Sequence, residues 1–112
     1  MSPSPEAVIV LVTVPNQDVA ATLAEALVGE ELAACVNVLP PMTSIYRWKG
    51  QIERQPELLC LVKTTAAQFE ALRARVVELH PYEVPEVVAL SIVAGHAPYL
   101  DWIAASVKGR GG

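Results

Sequence analysis

Two strand-like stretches, Leu32–Trp48 and Gln51–Thr64, meet at Lys49-Gly50, and each is two to three times the length of an ordinary strand, about 5–6 residues. A hairpin of that length overhangs any domain that 112 residues can build. A two-stranded ribbon is marginal alone in water, so its distal part is expected to pair with another chain. Pro40-Pro41 interrupts the first arm, which predicts a bend or bulge, and Pro56 confines part of the second arm to an edge. With the turn centred on Lys49-Gly50, opposed residues sum to about 99, which sets Cys60 against Leu39 and about four positions from the partner of Cys35. At about 3.4 Å per residue that offset exceeds disulfide reach, so both thiols are expected to be free.

Before the hairpin, Ala7–Val14 is continuously apolar and rich in valine, the pattern of a strand in the middle of a sheet. Asn16 is a helix N-cap candidate, and Val19, Leu23 and Leu27 recur on one face of a helix ending near Gly29. After the hairpin, Thr65-Ala-Ala-Gln68 has the spacing of a capping box, and Phe69, Leu72, Val76 and Leu79 mark a second helix that Pro81 ends at His80. Val87–Val93 is another apolar strand, and Pro98 opens a short third helix carrying Leu100, Ile103 and Val107. The order βαββαβ, followed by a C-terminal helix, is the ferredoxin-like split βαβ arrangement of the α+β class, with an antiparallel sheet and both main helices on one face. The other sheet face is bare, and the third helix or a neighbouring subunit must cover it.

One domain is expected, residues 7–107, between a disordered segment 1–6 and a flexible Gly-rich tail 108–112. Hydrophobic residues make up 53% of the chain, which is high for a small monomer and points to a partner chain. The longest apolar run, Ala7–Val12, falls far short of the roughly 20 residues of a membrane span, so no membrane role is expected. The net charge is −4, with no basic side chain before Arg47, so there is neither a basic nucleic-acid footprint nor an export signal. Two cysteines without CxxC spacing suit a reducing compartment, and the cytoplasm is the expected location. No nucleophile motif or zinc-ribbon spacing is present, so an enzyme is not expected and no cofactor is obligatory.

The polar residues set among apolar strands are the site candidates. His80 and Glu86 can ligate Cu²⁺ or another divalent cation weakly, with Tyr82 and Glu83 nearby, whereas the alternative for His80 is to cap the preceding helix. Lys63, in an apolar strand just ahead of Thr64 and Thr65 at the start of the second helix, suits a small anionic ligand or an ion pair with Glu86 or Glu83. Tyr46, Trp48, Tyr82 and Trp102 are aromatics suited to the wall of a ligand cleft or to an interface. Cys35 and Cys60 lie among apolar neighbours, where free cysteine behaves as a small hydrophobe.

Five segments, Leu32-Ala-Ala-Cys35-Val-Asn37, Thr43-Ser-Ile-Tyr-Arg-Trp48-Lys-Gly50, Val62-Lys63-Thr64-Thr65, His80-Pro-Tyr82-Glu-Val-Pro-Glu86 and Tyr99-Leu-Asp-Trp102, together resemble the motif series of the CutA family of divalent-cation tolerance proteins. The resemblance implies a homotrimer of ferredoxin-like protomers, PII-like in build, with clefts between subunits and a link to divalent-cation tolerance and copper binding. It places Lys63, His80, Tyr82, Glu83 and Glu86, with Tyr46, Trp48, Trp102 and Cys35, in such a cleft. Val12 stands where some members have a cysteine, and Leu79 where some have a second histidine, which weakens a soft-ligand copper site.

Overall fold

In the computed structural model, which describes residues 6–108, strand β1 (Ala7–Val14) lies between β4 (Gln51–Thr65) and β5 (Val88–Ser91), antiparallel to both. Val8, Val10, Val12 and Val14 are buried on one face of β1, while Ile9, Leu11 and Thr13 on the other are only half-buried. Helix α1 (Gln17–Gly29) begins where Asn16 Oδ1 accepts the Val19 N–H at 2.9 Å, and it buries Ala20, Leu23 and Leu27. Its last turn closes through Glu31 rather than Gly29: Glu31 takes a left-handed φ of 60°, and the Leu32 N–H returns to the Leu27 carbonyl at 2.9 Å.

The first arm of the hairpin is two strands, β2 (Cys35–Val38) and β3 (Met42–Trp48), both paired with β4. Lys49 and Gly50, with φ of 51° and 80°, make the two-residue turn that matches strand twist. From Trp48↔Gln51 to Met42↔Glu57 the register is the one expected from that turn. It then slips, because Leu39, Pro40 and Pro41 stand opposite only Leu58 and Leu59. The extra residue is a bulge at two prolines that cannot donate to the ladder, and it moves Cys60 opposite Val38 instead of Leu39. Cys35 faces Lys63, three pairs away, and both thiols are free.

The capping box at Thr65 does not form. Thr65 is still in β4, paired with Ala7, and residues Ala66–Gln68 make a 3₁₀ turn ahead of α2 (Phe69–Leu79). The Gln68 side chain cannot reach back to Thr65 because its amide donates to the Lys108 carbonyl at 2.6 Å. Leu72 and Val76 of α2 join Leu23, Leu27 and the valines of β1 in the main core, so α1 and α2 share one sheet face. Helix α3 (Ala97–Ala105) covers one end of the other face, where Ile103 packs with Ala7, Ala34, Ile92 and Leu100. The sheet order β2-β4-β1-β5, with β3 continuing off β4, is ferredoxin-like.

What α3 leaves uncovered is extensive. The expected strand Val87–Val93 shortens to β5, a sheet edge on which Val88 and Leu90 are exposed, and the overhanging ribbon exposes Ile45 and Ile52. Glu6 and Lys108 are held in the fold, Glu6 by its carbonyl to the Ala66 N–H and Lys108 by its N–H to the Glu31 carbonyl. The rest of the two segments read as loose, residues 1–5 and 109–112, lies outside the described residues. Cys60 is 2% exposed, and burial pushes its thiol pKa up. A charged thiol reagent is therefore expected to leave Cys60 unmodified until the protein unfolds. Mass mapping of labelled peptides checks this, and equal labelling of native and unfolded protein would contradict it.

Candidate functional site

Along β4 the side chains of Glu57, Leu59, Leu61 and Lys63 fall on the sheet face away from α1 and α2. Glu57 is where the ribbon leaves the body of the sheet, and it is 6% exposed. Its Oε2 accepts the Tyr82 hydroxyl at 2.7 Å. Burial first, and then that hydrogen bond and the Glu57 charge, push the Tyr82 pKa well above the usual tyrosine range, so Tyr82 remains a donor. The two residues form the floor of an open groove of about 850 Å³ between the ribbon and the 81–86 loop. Tyr46 and Trp48 line it from β3, Leu11 and Thr13 from β1, and Glu83 and Glu86 from the loop.

His80 holds that loop in place. Past the last β1–β5 pair, Leu11↔Val88, the Thr13 carbonyl lacks a β5 partner, and His80 Nε2 donates to it at 2.7 Å. Nδ1 accepts the Tyr82 N–H at 3.1 Å, which fixes the neutral Nε2–H tautomer. His80 does cap the preceding helix, but by its backbone N–H to the Val76 carbonyl, while its ring is turned to β1 and not to the helix carbonyls. Nor does either ring nitrogen keep a lone pair for a metal. Among the described residues no group of three His, Cys, Asp or Glu side chains is placed to hold a metal ion.

Lys63 does not join the groove. It is six residues along β4 from Glu57, about 20 Å for an extended strand, and its ammonium lies 5.5 Å from the Tyr99 ring centroid. Its hydrogen bonding to Tyr99, against the opposing effect of burial, raises its pKa, with Cys35 adding to the rise. Trp102 stacks on Tyr99 at 5.5 Å. The expected ion pair of Lys63 with Glu86 or Glu83 is absent among the described residues. The sequence candidates thus divide within one chain: Tyr46, Trp48, Tyr82, Glu83 and Glu86 share the groove with His80 behind it, and Lys63, Cys35 and Trp102 lie at the other end of the sheet. Glu57 and Tyr99 were missed as site residues. Glu57 left a signal, an acid in step with Leu59 and Leu61 on an apolar face.

The groove, the buried His80 and the overlong ribbon sit on segments shared with known proteins. The profile of the CutA1 divalent ion tolerance protein matches residues 8–106. The chain belongs to the CutA1 family. It is 58% identical over 95 residues to the Divalent-cation tolerance protein CutA of Thermus thermophilus, covering 85% of this chain and 92% of that one. A solved CutA1 structure from Thermus thermophilus superposes with a TM-score of 0.89 at 54% identity, covering 90% of this chain and 98% of that chain. Against the human Protein CutA the chain is 50% identical over 92 residues, 82% of its own length and 51% of the human protein's. A CutA1 family member from Archaeoglobus fulgidus, 34% identical with a TM-score of 0.88 and covering 91% of this chain and 99% of that chain, is described as a periplasmic divalent cation tolerance protein. The cytoplasmic assignment is corrected by that finding. Free thiols and the absence of an early basic residue do not assign a compartment to a CutA1 chain. Among the described residues no helix is long and apolar enough to cross a membrane.

Proposed function

We propose that this chain serves divalent-cation tolerance as a homotrimeric binding protein rather than as an enzyme, with the groove at Glu57 as its working site. The observation that carries this reading is the collection of Glu57, Glu83 and Glu86 on one groove with no ion pair to any of them among the described residues. With three carboxylates against the one ammonium of Lys49, the groove's lining is net acidic and attracts cations. With His80 committed to Thr13 and Tyr82, the carboxylates and water are left as donors, a set that holds divalent ions weakly. One chain does not complete a metal shell, so water or a neighbouring subunit must.

Assembly is supported by the ribbon, whose two faces both carry apolar side chains, Ile45 and Ile52 on one and Met42, Tyr46 and Trp48 on the other. A cleft that unites Lys63, Tyr99 and Trp102 with Glu57 and Tyr82 has to form between two subunits, because one chain holds the two groups at opposite ends of its sheet. Calorimetric titration with Cu²⁺ and Zn²⁺ near neutral pH tests the reading. Weak saturable binding is expected, reduced in Glu86→Gln and retained in His80→Gln. Tight binding, or binding indifferent to Glu86→Gln, would remove the groove as the site.

A further inference from the structure

Resting on the groove as the working site, we propose that it takes a small organic ammonium ion, with Glu57 as counter-charge and Tyr46 and Trp48 as walls. Three features support that class of ligand. Glu57 is more than nine-tenths buried, yet its single hydrogen bond comes from a neutral phenol to Oε2. Among the described residues Oε1 has no hydrogen-bond partner and is not a buried atom, so it opens on the groove, and no cation pairs with the carboxylate. An ammonium entering the groove would meet that open oxygen in a charge-assisted hydrogen bond that no group of this chain supplies.

The walls are the second feature. Tyr46 and Trp48 alternate along β3 and line the same groove, and the ammonium of Lys49 already lies 5.7 Å from the Trp48 ring centroid, so this aromatic surface accepts a cation within the chain itself. Third, a hydrated divalent ion makes no use of aromatic walls, since it is held by oxygen donors at about 2.0–2.6 Å. A cation with an apolar body uses every part of the groove: the carboxylate, the ring faces, and the aliphatic surface of Leu11, Leu59 and Val84. The groove's volume, about 850 Å³, is that of a small-molecule site.

The full-length protein, labelled with ¹⁵N-tryptophan and titrated with n-butylammonium chloride, n-pentanol or sodium butyrate, tests this. The Trp48 indole signal is expected to shift saturably with n-butylammonium alone. Glu57→Gln should weaken the response by about tenfold or more, and Trp48→Leu, an exposed ribbon substitution that leaves the core untouched, should weaken the protection that n-butylammonium gives against thermal unfolding. An equal response to pentanol, or an undiminished one in Glu57→Gln, would overturn the proposal. If Zn²⁺ binds in a Glu86-dependent way while n-butylammonium moves nothing, the organic-cation inference falls and the divalent-cation reading stands. If neither binds, both fall.

Discussion

Replacing His80 with alanine is expected to lower folding stability by about 3 kcal/mol, because it strands a carbonyl and an amide that the imidazole now satisfies together. The Thr13 carbonyl lies past the end of the β5 ladder and the Tyr82 N–H is in the turn after α2. Each group costs about 1–3 kcal/mol if left unpaired away from water. His80 is only 7% exposed and its ring packs at 4.7 Å on Tyr82, so its removal also opens a void. Urea unfolding of wild type and variant measures the difference. A loss under about 1 kcal/mol would mean that water replaces the imidazole and that the ring is not what holds the two groups. Because Tyr82 holds Glu57, the same substitution should also loosen the groove floor. His80→Gln, which can keep one of the two bonds, should lose less.

The fold was legible because local signals agreed with one another. Asn16 caps the helix it precedes, the unbroken valine strand takes the centre of the sheet, and Lys49-Gly50 turns the hairpin. Where the sequence reading failed, a tertiary contact overrode a local pattern. Gln68 could close a capping box only if its amide were not held by Lys108, a partner 40 positions away. The double proline announced a bend or bulge but not its size, so the hairpin register could be counted from the turn only as far as Met42.

The site was legible in part for the same reason. Residues close in sequence and on one loop, Tyr82, Glu83 and Glu86, stay together, and alternation along a strand keeps Tyr46 beside Trp48. Lys63 was grouped with them on chemical need, since a lysine in an apolar strand must find a partner. The need was real, and it is met by Tyr99 on α3, which no pattern along the chain announces. His80 illustrates the opposite error. Its position after a helix suggested a cap or a metal ligand; the backbone N–H does cap the helix, yet the open carbonyl of β1 claims the ring.

On the proposed trimer, Ile52→Lys is expected to convert the assembly into monomers. Ile52 is 68% exposed in the single chain, on the ribbon face it shares with Ile45 and away from Tyr46 and Trp48. Burial of such a side chain in an interface contributes about 1.5–3 kcal/mol, and the contribution recurs in every subunit. Lysine reverses its sign, since an ammonium in that interface would have Arg47 directly across the ladder and no acidic neighbour on its face of the ribbon. An acidic replacement is the poorer test because Arg47 could neutralise it. Light scattering should report three times 12.0 kDa for the wild type and 12.0 kDa for the variant. Val77→Lys, on the outer surface of α2 where 45% of the side chain is exposed, serves as the control and should leave the mass unchanged. A wild-type monomer would remove the trimer outright, and an Ile52→Lys trimer would move the interface off this ribbon face, leaving the sheet face around Val88 and Leu90 to carry it.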